Sequence, residues 1–222
     1  MKRTLITHDN PMSPISEQYR TLRTNLEFSS VEGDLQLMMV TSSGPAEGKS
    51  LTAANLAVVF AQQGKKVLLV DADMRKPTVH YTFRLDNVQG LSSYLAGHKN
   101  SLKSLAKHSR VEGMDVLGSG PIPPNPSELL GSVNMERFAS EAREAYDLVI
   151  FDSPPVLAVA DSQVLTASTD GTLMVLRDKK TEREAVAKAE ELLEQAKANL
   201  LGFVMNDVPA KESSYYAYYG RE

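Results

Sequence analysis

The chain has 222 residues, a formal net charge of −4 and no cysteine. This length suits one domain, and a composition of 42% hydrophobic and 23% charged residues is ordinary for a folded globular protein. The lack of cysteine excludes a disulfide scaffold, a thiolate metal site and a cysteine nucleophile, and it fits a reducing compartment. Because the slight acidity provides no general basic field, we expect no direct nucleic-acid partner.

Short apolar runs in the sequence predict buried strands. They lack the apolar–polar alternation of half-exposed strands, which is typical of strands covered on both faces in a parallel sheet. The runs are residues 37–40, 67–70, 148–151, 173–176 and 203–205, with 114–117 as a candidate sixth.

Residues 50–63 and 181–199 are predicted helices between these strands. For the second helix, Thr181 is the predicted N-cap and Glu184 its capping-box partner. Strands that alternate with helices indicate the α/β fold class, with a mostly parallel central sheet flanked by helices.

The two ends of the chain carry further predictions. Residues 1–14 are predicted to be an arm that leads into a helix at residues 16–28. Residues 207–222 lack apolar periodicity and hold four of the eight tyrosines, so we expect a domain over 1–206 and a flexible tail after it. No apolar run approaches the roughly 20 residues that span a bilayer, and no secretory signal precedes the domain, which predicts a cytoplasmic chain.

The most specific motif lies between the first predicted strand and the following helix. Residues 42–50 read Ser-Ser-Gly-Pro-Ala-Glu-Gly-Lys-Ser, in the strand–loop–helix context that a phosphate-binding P-loop requires. Backbone N–H groups of such a loop cradle phosphates at the start of a helix. Lys49 is predicted to reach the β- and γ-phosphates and Ser50 to bind Mg²⁺, although Ser43 stands where the usual pattern has glycine.

Acidic residues end two other predicted strands. Asp71 and Asp73 follow residues 67–70 with the two-residue spacing that places both side chains on one side of an extended segment. Asp152 follows residues 148–151 in a Walker B arrangement, where the acid reaches Mg²⁺ at the carboxyl edge of the sheet. Alone, a pair of acids after a strand is a weak signal, because acids commonly cap the helix that follows. Convergence with the P-loop favours an ATP and Mg²⁺ site.

These motifs define the predicted binding residues. Asn206, after residues 203–205, is either an adenine contact or an ordinary strand-end turn residue. The predicted metal ligands are Ser50, Asp71 and Asp152. The predicted nucleotide contacts are Ser43, Gly44, Pro45, Ala46, Glu47, Gly48, Lys49, Ser50, Leu51 and Asn206.

Taken together, the motifs resemble the bacterial tyrosine kinases of capsule and exopolysaccharide synthesis. Residues 44–50 look like the Walker A motif of that family, residues 71–77 like its additional Walker A′ box, and residues 152–155 like its Walker B motif. Residues 123–130 are similar to another recurrent segment. The resemblance implies a three-layer P-loop NTPase fold related to the MinD/ParA-type ATPases, and family members often carry serine at the position of Ser43.

The resemblance also implies an activity and its residues. The chain is expected to be an ATP-dependent protein tyrosine kinase that uses Lys49, Asp71, Asp73 and Asp152, with Asp71 as the base. The tail tyrosines are then the acceptors, phosphorylated between copies: Tyr215, Tyr216, Tyr218 and Tyr219. Without this resemblance, the tail is also compatible with aromatic stacking on its own domain or a neighbour.

The resemblance further implies the assembly. Glu17, Arg20 and Arg23 match the helix through which family members form rings, although at helical spacing they are also typical of a solvated charged face. In the Gram-positive branch, a separate transmembrane activator recruits the kinase to the inner face of the membrane. Enzymes that make nucleotide sugars are among the expected substrates, and the membrane is met only through the activator.

Two alternatives to the kinase remain at this point. The first is a nucleotide-switch ATPase of the MinD/ParA type that acts as a spatial organiser. Those ATPases carry a signature lysine five residues before the P-loop lysine, where this chain has Gly44. The second is a regulatory subunit that binds ATP without catalysis, which the complete set of strand-end acids disfavours.

Overall fold

The computed structural model describes residues 4–29, 35–97 and 101–209. The strands are β1 (Leu37–Ser42), β2 (Val67–Asp71), β3 (Lys107–His108), β4 (Met114–Leu117), β5 (Leu148–Asp152), β6 (Gly171–Arg177) and β7 (Leu200–Asn206). The helices are α1 (Ile6–Asp9), α2 (Pro14–Ser29), α3 (Lys49–Gln62), α4 (Val79–Phe83), α5 (Leu91–Leu95), α6 (Leu102–Leu105), α7 (Pro126–Leu130), α8 (Val133–Ala145), α9 (Asp161–Leu165) and α10 (Arg183–Gln195). Thr166–Ser168 forms a short 3-10 helix.

Within the described ranges, the seven strands form one sheet in the order β3-β4-β2-β5-β1-β6-β7. All neighbours are parallel except β3 and β4, which pair antiparallel. Strand β3 has only two residues, too few for a periodic pattern, and was not predicted from the sequence. The six longer strands are those that the apolar runs predict.

Helices cover both faces of the sheet and create two hydrophobic cores. One core packs α5 to α10 against the sheet through residues such as Leu91, Phe138 and Leu193. The other packs α1, α2 and α3 against the opposite face through residues such as Leu26 and Phe60. The buried strands β1, β2 and β5 lie between the two cores, which explains their uninterrupted apolar sequence.

Two predictions about the final elements are wrong. Strand β7 is the edge strand and is only partly covered, with Phe203 and Met205 45% and 53% exposed, so it is not buried on both faces. Helix α10 begins at Arg183 and ends at Gln195, and its N-cap is Glu182 instead of Thr181. The Thr181 hydroxyl accepts a hydrogen bond from the Arg177 N–H and donates one to Glu47, so it does not cap the helix.

The sheet places the predicted functional segments at one edge. Parallel strands β1, β2 and β5 all end there, followed by the P-loop, the Asp71–Asp73 segment and Asp152 respectively. In the part of the chain that the structure describes, no helix is long and apolar enough to cross a membrane.

Candidate active site at the carboxyl edge of the sheet

The P-loop connects the end of β1 to the first residue of α3, Lys49. Gly48 has a φ of +99°, a left-handed conformation that favours glycine. A Cβ atom at Gly48 would lie 2.0 Å from Nδ2 of Asn206, so a larger residue would displace the Asn206 side chain from its hydrogen bond with the Glu47 carbonyl oxygen. The loop therefore needs glycine at this position, both for its own turn and for its contact with β7.

Lys49 lies among the acidic residues that the sequence predicts at the strand ends. Its ammonium nitrogen is 3.1 Å from Oδ2 of Asp73 and 3.3 Å from Oδ1 of Asp152. The same nitrogen is 3.3 Å from the Ser50 hydroxyl. The P-loop, the Walker A′ segment and the Walker B strand thus meet at one cation, as their convergence predicts.

The charges of this cluster depend on one another. Burial by itself lowers the pKa of Lys49, but the nearby carboxylates of Asp152 and Asp73 outweigh it and raise the pKa above the ordinary value. Burial raises the pKa of Asp152, and Lys49 and the Ser50 hydroxyl offset part of that effect. The lysine is therefore fixed in its charged form, and it supplies the positive charge that these acids need in the folded chain.

Asp71 lies beside Asp152, because these two residues pair across β2 and β5. Its Oδ2 atom accepts hydrogen bonds of 2.9 Å from the backbone N–H groups of Thr78 and Val79. Burial, followed by repulsion from Asp152, raises the pKa of Asp71 to about 7. A carboxyl group with this pKa exchanges a proton near neutral pH, which is the property that a general base requires.

The unsatisfied carboxylate oxygens indicate how a magnesium ion fits this cluster. Among the described side chains, Oδ1 of Asp71 and Oδ2 of Asp152 are buried and accept no hydrogen bond. The described part of the chain contains no cluster of three or more acidic or histidine side chains that could bind a metal ion by itself. Magnesium usually takes only one or two carboxylates and completes its shell with phosphate and water. The oxygens of Ser50, Asp71 and Asp152 are chemically suited to such a site.

The Glu47 side chain stabilises the P-loop through hydrogen bonds, and we call this set of bonds the Glu47 brace. This side chain is almost fully buried and accepts hydrogen bonds from the Ser43 hydroxyl, the Gly44 N–H and the Thr181 hydroxyl. Ser43, the departure from the usual P-loop pattern, thus has a partner that a glycine would lack. The brace holds a loop in which Ala46 has a φ of +62°, an uncommon conformation for a residue with a side chain.

We expect Glu47→Ala to weaken ATP binding by about tenfold, because it leaves buried donors of the P-loop without an acceptor. Glu184→Ala, which removes an exposed carboxylate from the first turn of α10, is the matched control. Titration with a fluorescent ATP analogue measures both affinities. Equal affinities for Glu47→Ala and the wild type would show that the brace does not shape the nucleotide site.

The remaining predicted nucleotide contacts lie on or next to the loop. Pro45 and Ala46 are exposed on the P-loop, and Leu51 is 38% exposed on the first turn of α3. The Asn206 side chain donates a 2.9 Å hydrogen bond to the Glu47 carbonyl oxygen. Arg177 binds the Ala46 carbonyl oxygen at 3.2 Å, which also ties the end of β6 to the loop. Adenine contact by Asn206 stays a prediction.

Arg75 was expected from the sequence to pair with a phosphate or an acid, and it forms an ion pair with Asp161, a partner that the sequence did not identify. Arg75 Nε and Nη2 lie 2.9 and 3.0 Å from the two carboxylate oxygens of Asp161, which is fully buried at the start of α9. The pair connects the Walker A′ segment to the chain beyond Walker B. Asp161 and Thr181 were missed because nothing in their local sequence indicates their distant partners, Arg75 and Glu47.

The predicted oligomerisation residues lie on α2. Arg20 forms a 2.7 Å ion pair with Glu17 on the same helix, and both are partly exposed. Arg23 is less exposed and donates a 3.0 Å hydrogen bond to the Val59 carbonyl oxygen of α3. In one chain these residues therefore have intramolecular partners. The predicted phosphate acceptors, Tyr215, Tyr216, Tyr218 and Tyr219, lie outside the described residues.

Comparison with known proteins agrees with the motifs. A family model described as an AAA domain matches residues 38–201. The chain is 55% identical to the tyrosine-protein kinase YwqD of Bacillus subtilis (strain 168), over 99% of this chain and 92% of YwqD.

Solved structures give the same result at two levels of similarity. The crystal structure of the chimerical protein CapA2B2 is 43% identical and has a TM-score of 0.89, over 93% of this chain and 90% of that one. The septum site-determining protein MinD of Pyrococcus horikoshii OT3 has a TM-score of 0.65 at 22% identity, over 82% and 75% of the two chains. MinD shows a shared fold alone. The predicted P-loop NTPase fold, related to MinD-type ATPases, is confirmed.

Proposed function

The chain belongs to the bacterial tyrosine kinases of capsule and exopolysaccharide synthesis, and from this premise we propose that it phosphorylates the tail tyrosines of a second copy of itself. Tyr215, Tyr216, Tyr218 and Tyr219 are the proposed acceptors. The observation that carries the proposal is the meeting of Lys49 with Asp73 and Asp152, next to Asp71, at the end of the P-loop. A nucleotide switch shares the fold, but a tyrosine cluster has no role in it.

Lys49 has a different partner in each stage of the proposed reaction. In this structure its ammonium group neutralises Asp73 and Asp152. When ATP is bound, Lys49 turns to the β- and γ-phosphates, as the P-loop motif implies. Ser50 and Asp152 would hold Mg²⁺, and Asp71 would contact the ion only through water, so that its carboxylate stays available for a proton. The ion would neutralise negative charge on the phosphates. The buried, unpaired oxygens of Asp71 and Asp152 support this exchange of cations.

The transfer itself forms one bond and breaks another. The tyrosine oxygen binds the γ-phosphorus while the bond from that phosphorus to the β–γ bridging oxygen breaks, which releases ADP. A free tyrosine hydroxyl has a pKa near ~10 and keeps its proton at neutral pH. Asp71 accepts that proton, and its pKa of about 7 supports the role. Asp73, which also accepts a 3.0 Å hydrogen bond from the Lys76 N–H, holds the acidic segment in place.

Transfer between copies requires an assembly. We propose a ring in which Glu17, Arg20 and Arg23 of α2 contact the neighbouring subunit. Two observations support α2 as the contact surface: the Glu17–Arg20 pair is partly exposed, and Ile15 and Phe28 on the same helix are 52% and 78% exposed. Residues 207–222 act as the substrate segment and residues 1–206 as the kinase domain.

The cellular setting follows from the family. A separate transmembrane activator recruits the chain to the inner face of the membrane, and the chain has no direct contact with lipid or nucleic acid. Further substrates include enzymes that make nucleotide sugars. The similarity to CapA2B2 supports a two-component arrangement, because a chimerical protein joins parts of separate proteins in one chain.

A mixture of two variants tests transfer between copies. One variant carries Lys49→Met and an intact tail; the other keeps the active site but has phenylalanine in place of the four tail tyrosines. We expect mass spectrometry to find phosphate on the tail of the Lys49→Met copy after incubation with Mg-ATP. Each variant alone is the control and stays unlabelled. An unlabelled mixture, under conditions in which the wild type is labelled, would show that each copy modifies only itself.

A further inference from the structure

We propose that Arg75 is a positioning residue for the phosphoryl transfer. Through its ion pair with Asp161, it fixes the Walker A′ segment, residues 71–77, so that the acids of this segment keep their place beside the P-loop. The inference rests on the proposed kinase function. It assigns a part in that reaction to a side chain that binds no metal and accepts no proton.

The Walker A′ segment has little regular structure to hold it. Residues 72–78 lie between β2 and α4 and belong to neither element. The Ala72 N–H donates a 2.9 Å hydrogen bond to the carbonyl oxygen of the last residue of β5. Beyond it, the Met74 side chain is fully buried in the core, and Arg75 pairs with Asp161. Apolar burial is non-directional, so Met74 by itself does not set the orientation of the acids around it.

The Arg75–Asp161 pair has a geometry that fixes an orientation. Nε and Nη2 of Arg75 donate hydrogen bonds of 2.9 and 3.0 Å to the two carboxylate oxygens of Asp161. Two such bonds between planar groups set the plane of the guanidinium as well as its distance. Asp161 is fully buried, whereas the Arg75 side chain is 41% exposed. The buried acid is therefore the fixed partner, and the arginine takes its position from it.

Asp161 is itself fixed to the strand that leads into the P-loop. Its neighbour on α9, Ser162, donates a hydrogen bond from its hydroxyl to the Pro154 carbonyl oxygen. The same oxygen accepts a 2.9 Å hydrogen bond from the hydroxyl of Thr41 in β1. The start of α9 is thus bonded to the loop after Walker B, and that loop is bonded to β1.

These contacts enclose the active site from two sides. In the loop that leads to α9, the Leu157 N–H donates a 3.2 Å hydrogen bond to the carbonyl oxygen of Ser43 in the P-loop. On the other side, Lys49 of the P-loop lies 3.1 Å from Asp73. In the proposed reaction Lys49 leaves Asp73 when ATP binds. The ion pair of Arg75 is then the polar side-chain contact that still holds the segment to the rest of the site.

The Walker A′ segment also orients the proposed catalytic base. Oδ2 of Asp71 accepts hydrogen bonds from the N–H groups of Thr78 and Val79, which follow the segment directly. Because Arg75 lies between Asp71 and these donors in the chain, a loose segment would displace the donors and with them the carboxylate. A shift of about 1 Å in a reacting group costs up to about 100-fold in rate. The P-loop, which binds the phosphates, would keep its structure.

Arg75→Lys tests the orientation apart from the charge. Lysine keeps the positive charge beside Asp161, but it cannot form the two fixed bonds of a planar guanidinium. We expect the maximal rate of phosphorylation to fall about tenfold and the KM for ATP to stay within about twofold, because the change acts on the transition state and not on ATP binding. Each enzyme carries phenylalanine at the four tail tyrosines, and the Lys49→Met copy is the substrate.

A double variant shows whether Arg75 acts through Asp161. Asp161→Asn is expected to slow phosphorylation by about the same factor, and the double variant should be no slower than either single one, because both changes break the same pair. Arg183→Lys, at an exposed arginine on the first turn of α10, is the matched control and should keep the wild-type rate.

Hydrogen exchange gives a second readout that needs no kinase activity. The N–H groups of Lys76, Thr78 and Val79 are bonded to the acids of the segment. We expect peptides that cover residues 72–80 to exchange faster in Arg75→Lys and in Asp161→Asn than in the wild type, while peptides from β1 and α3 are unchanged. A general loss of stability would accelerate exchange in all of these peptides.

Several results would overturn the proposal. An unchanged maximal rate would do so, as would a slower rate without faster exchange in residues 72–80. A KM for ATP that rises about tenfold would place Arg75 on a phosphate instead, and effects that multiply in the double variant would exclude action through Asp161. Where thermal melting shows that Arg75→Lys does not fold, Asp161→Asn decides. A wild-type protein that never phosphorylates the Lys49→Met copy, with faster exchange in the variants, would contradict the kinase proposal and leave the fixing of the segment standing.

Discussion

We expect Lys49→Met to reduce tyrosine phosphorylation by at least about 100-fold, because it removes a cation that stabilises charge on the transferring phosphoryl group. The substitution keeps most of the unbranched apolar side chain and removes its charge. Lys103→Met, at an exposed position on α6, is the matched control. Quantitative mass spectrometry of the tail peptides gives the rate. Labelling of residues 215–219 at the wild-type rate would show that Lys49 is not in the active site.

The same substitution has an expected effect on stability in the absence of nucleotide. Lys49 offsets part of the rise that burial causes in the pKa of Asp152, so its loss raises that pKa further. A carboxyl group whose pKa is raised by folding makes the folded state less stable as the pH rises. The melting temperature of Lys49→Met should therefore fall below that of the wild type more at about pH 8 than at about pH 5. A fall in melting temperature that is the same at both pH values would indicate damage to packing instead.

We expect Asp71→Asn to slow phosphoryl transfer strongly and yet to stabilise the free protein. General base catalysis contributes about 100-fold or more to a rate, so loss of the Asp71 carboxylate should reduce phosphorylation by at least that factor. The asparagine oxygen still accepts the hydrogen bonds from Thr78 and Val79, so the turn before α4 is retained. Asp86→Asn, on the exposed loop after α4, is the control.

The sign of the stability change follows from the pKa of Asp71. Its pKa is raised from 3.8 to about 7 in the folded chain, so folding opposes ionisation of this group. The contribution of Asp71 to stability is fully present below the unfolded pKa and is lost as the pH rises through the folded pKa. Asparagine does not ionise, so the variant does not lose this stability as the pH rises. The melting temperature of Asp71→Asn should be several degrees above that of the wild type at about pH 8, with a smaller difference at about pH 5. An asparagine variant that is less stable at both pH values would contradict this account of Asp71.

The sequence predicts the main parts of the fold and the active site for a physical reason. Strands buried between two layers of helices have no solvent-exposed face, so β1, β2 and β5 appear as uninterrupted apolar runs. Parallel strands bring their carboxyl ends to one edge, so Lys49, Asp73 and Asp152 could be placed together before their distances were known. These predictions depend only on periodicity and on the direction of the strands.

The contacts that tune the site depend on residues that are far apart in the chain. The Glu47 carboxylate accepts a hydrogen bond from the Thr181 hydroxyl, 134 residues away. This bond explains why Thr181 does not cap α10. Arg75 takes Asp161, 86 residues away, instead of a nearby acid. The exposure of β7 depends on its place at the edge, which an apolar run cannot reveal. Local patterns carry no signal for such partnerships.

The central claim is that Mg²⁺ replaces the Lys49 ammonium group at the strand-end acids when ATP binds. A crystal structure with Mg²⁺ and a non-hydrolysable ATP analogue tests this claim most directly. We expect the Lys49 ammonium group to leave its positions 3.1 Å from Asp73 and 3.3 Å from Asp152 and to contact the β- and γ-phosphates. We also expect a magnesium ion bound by Ser50 and the strand-end acids. A nucleotide bound elsewhere, with Lys49 still paired to Asp73 and Asp152, would contradict the claim.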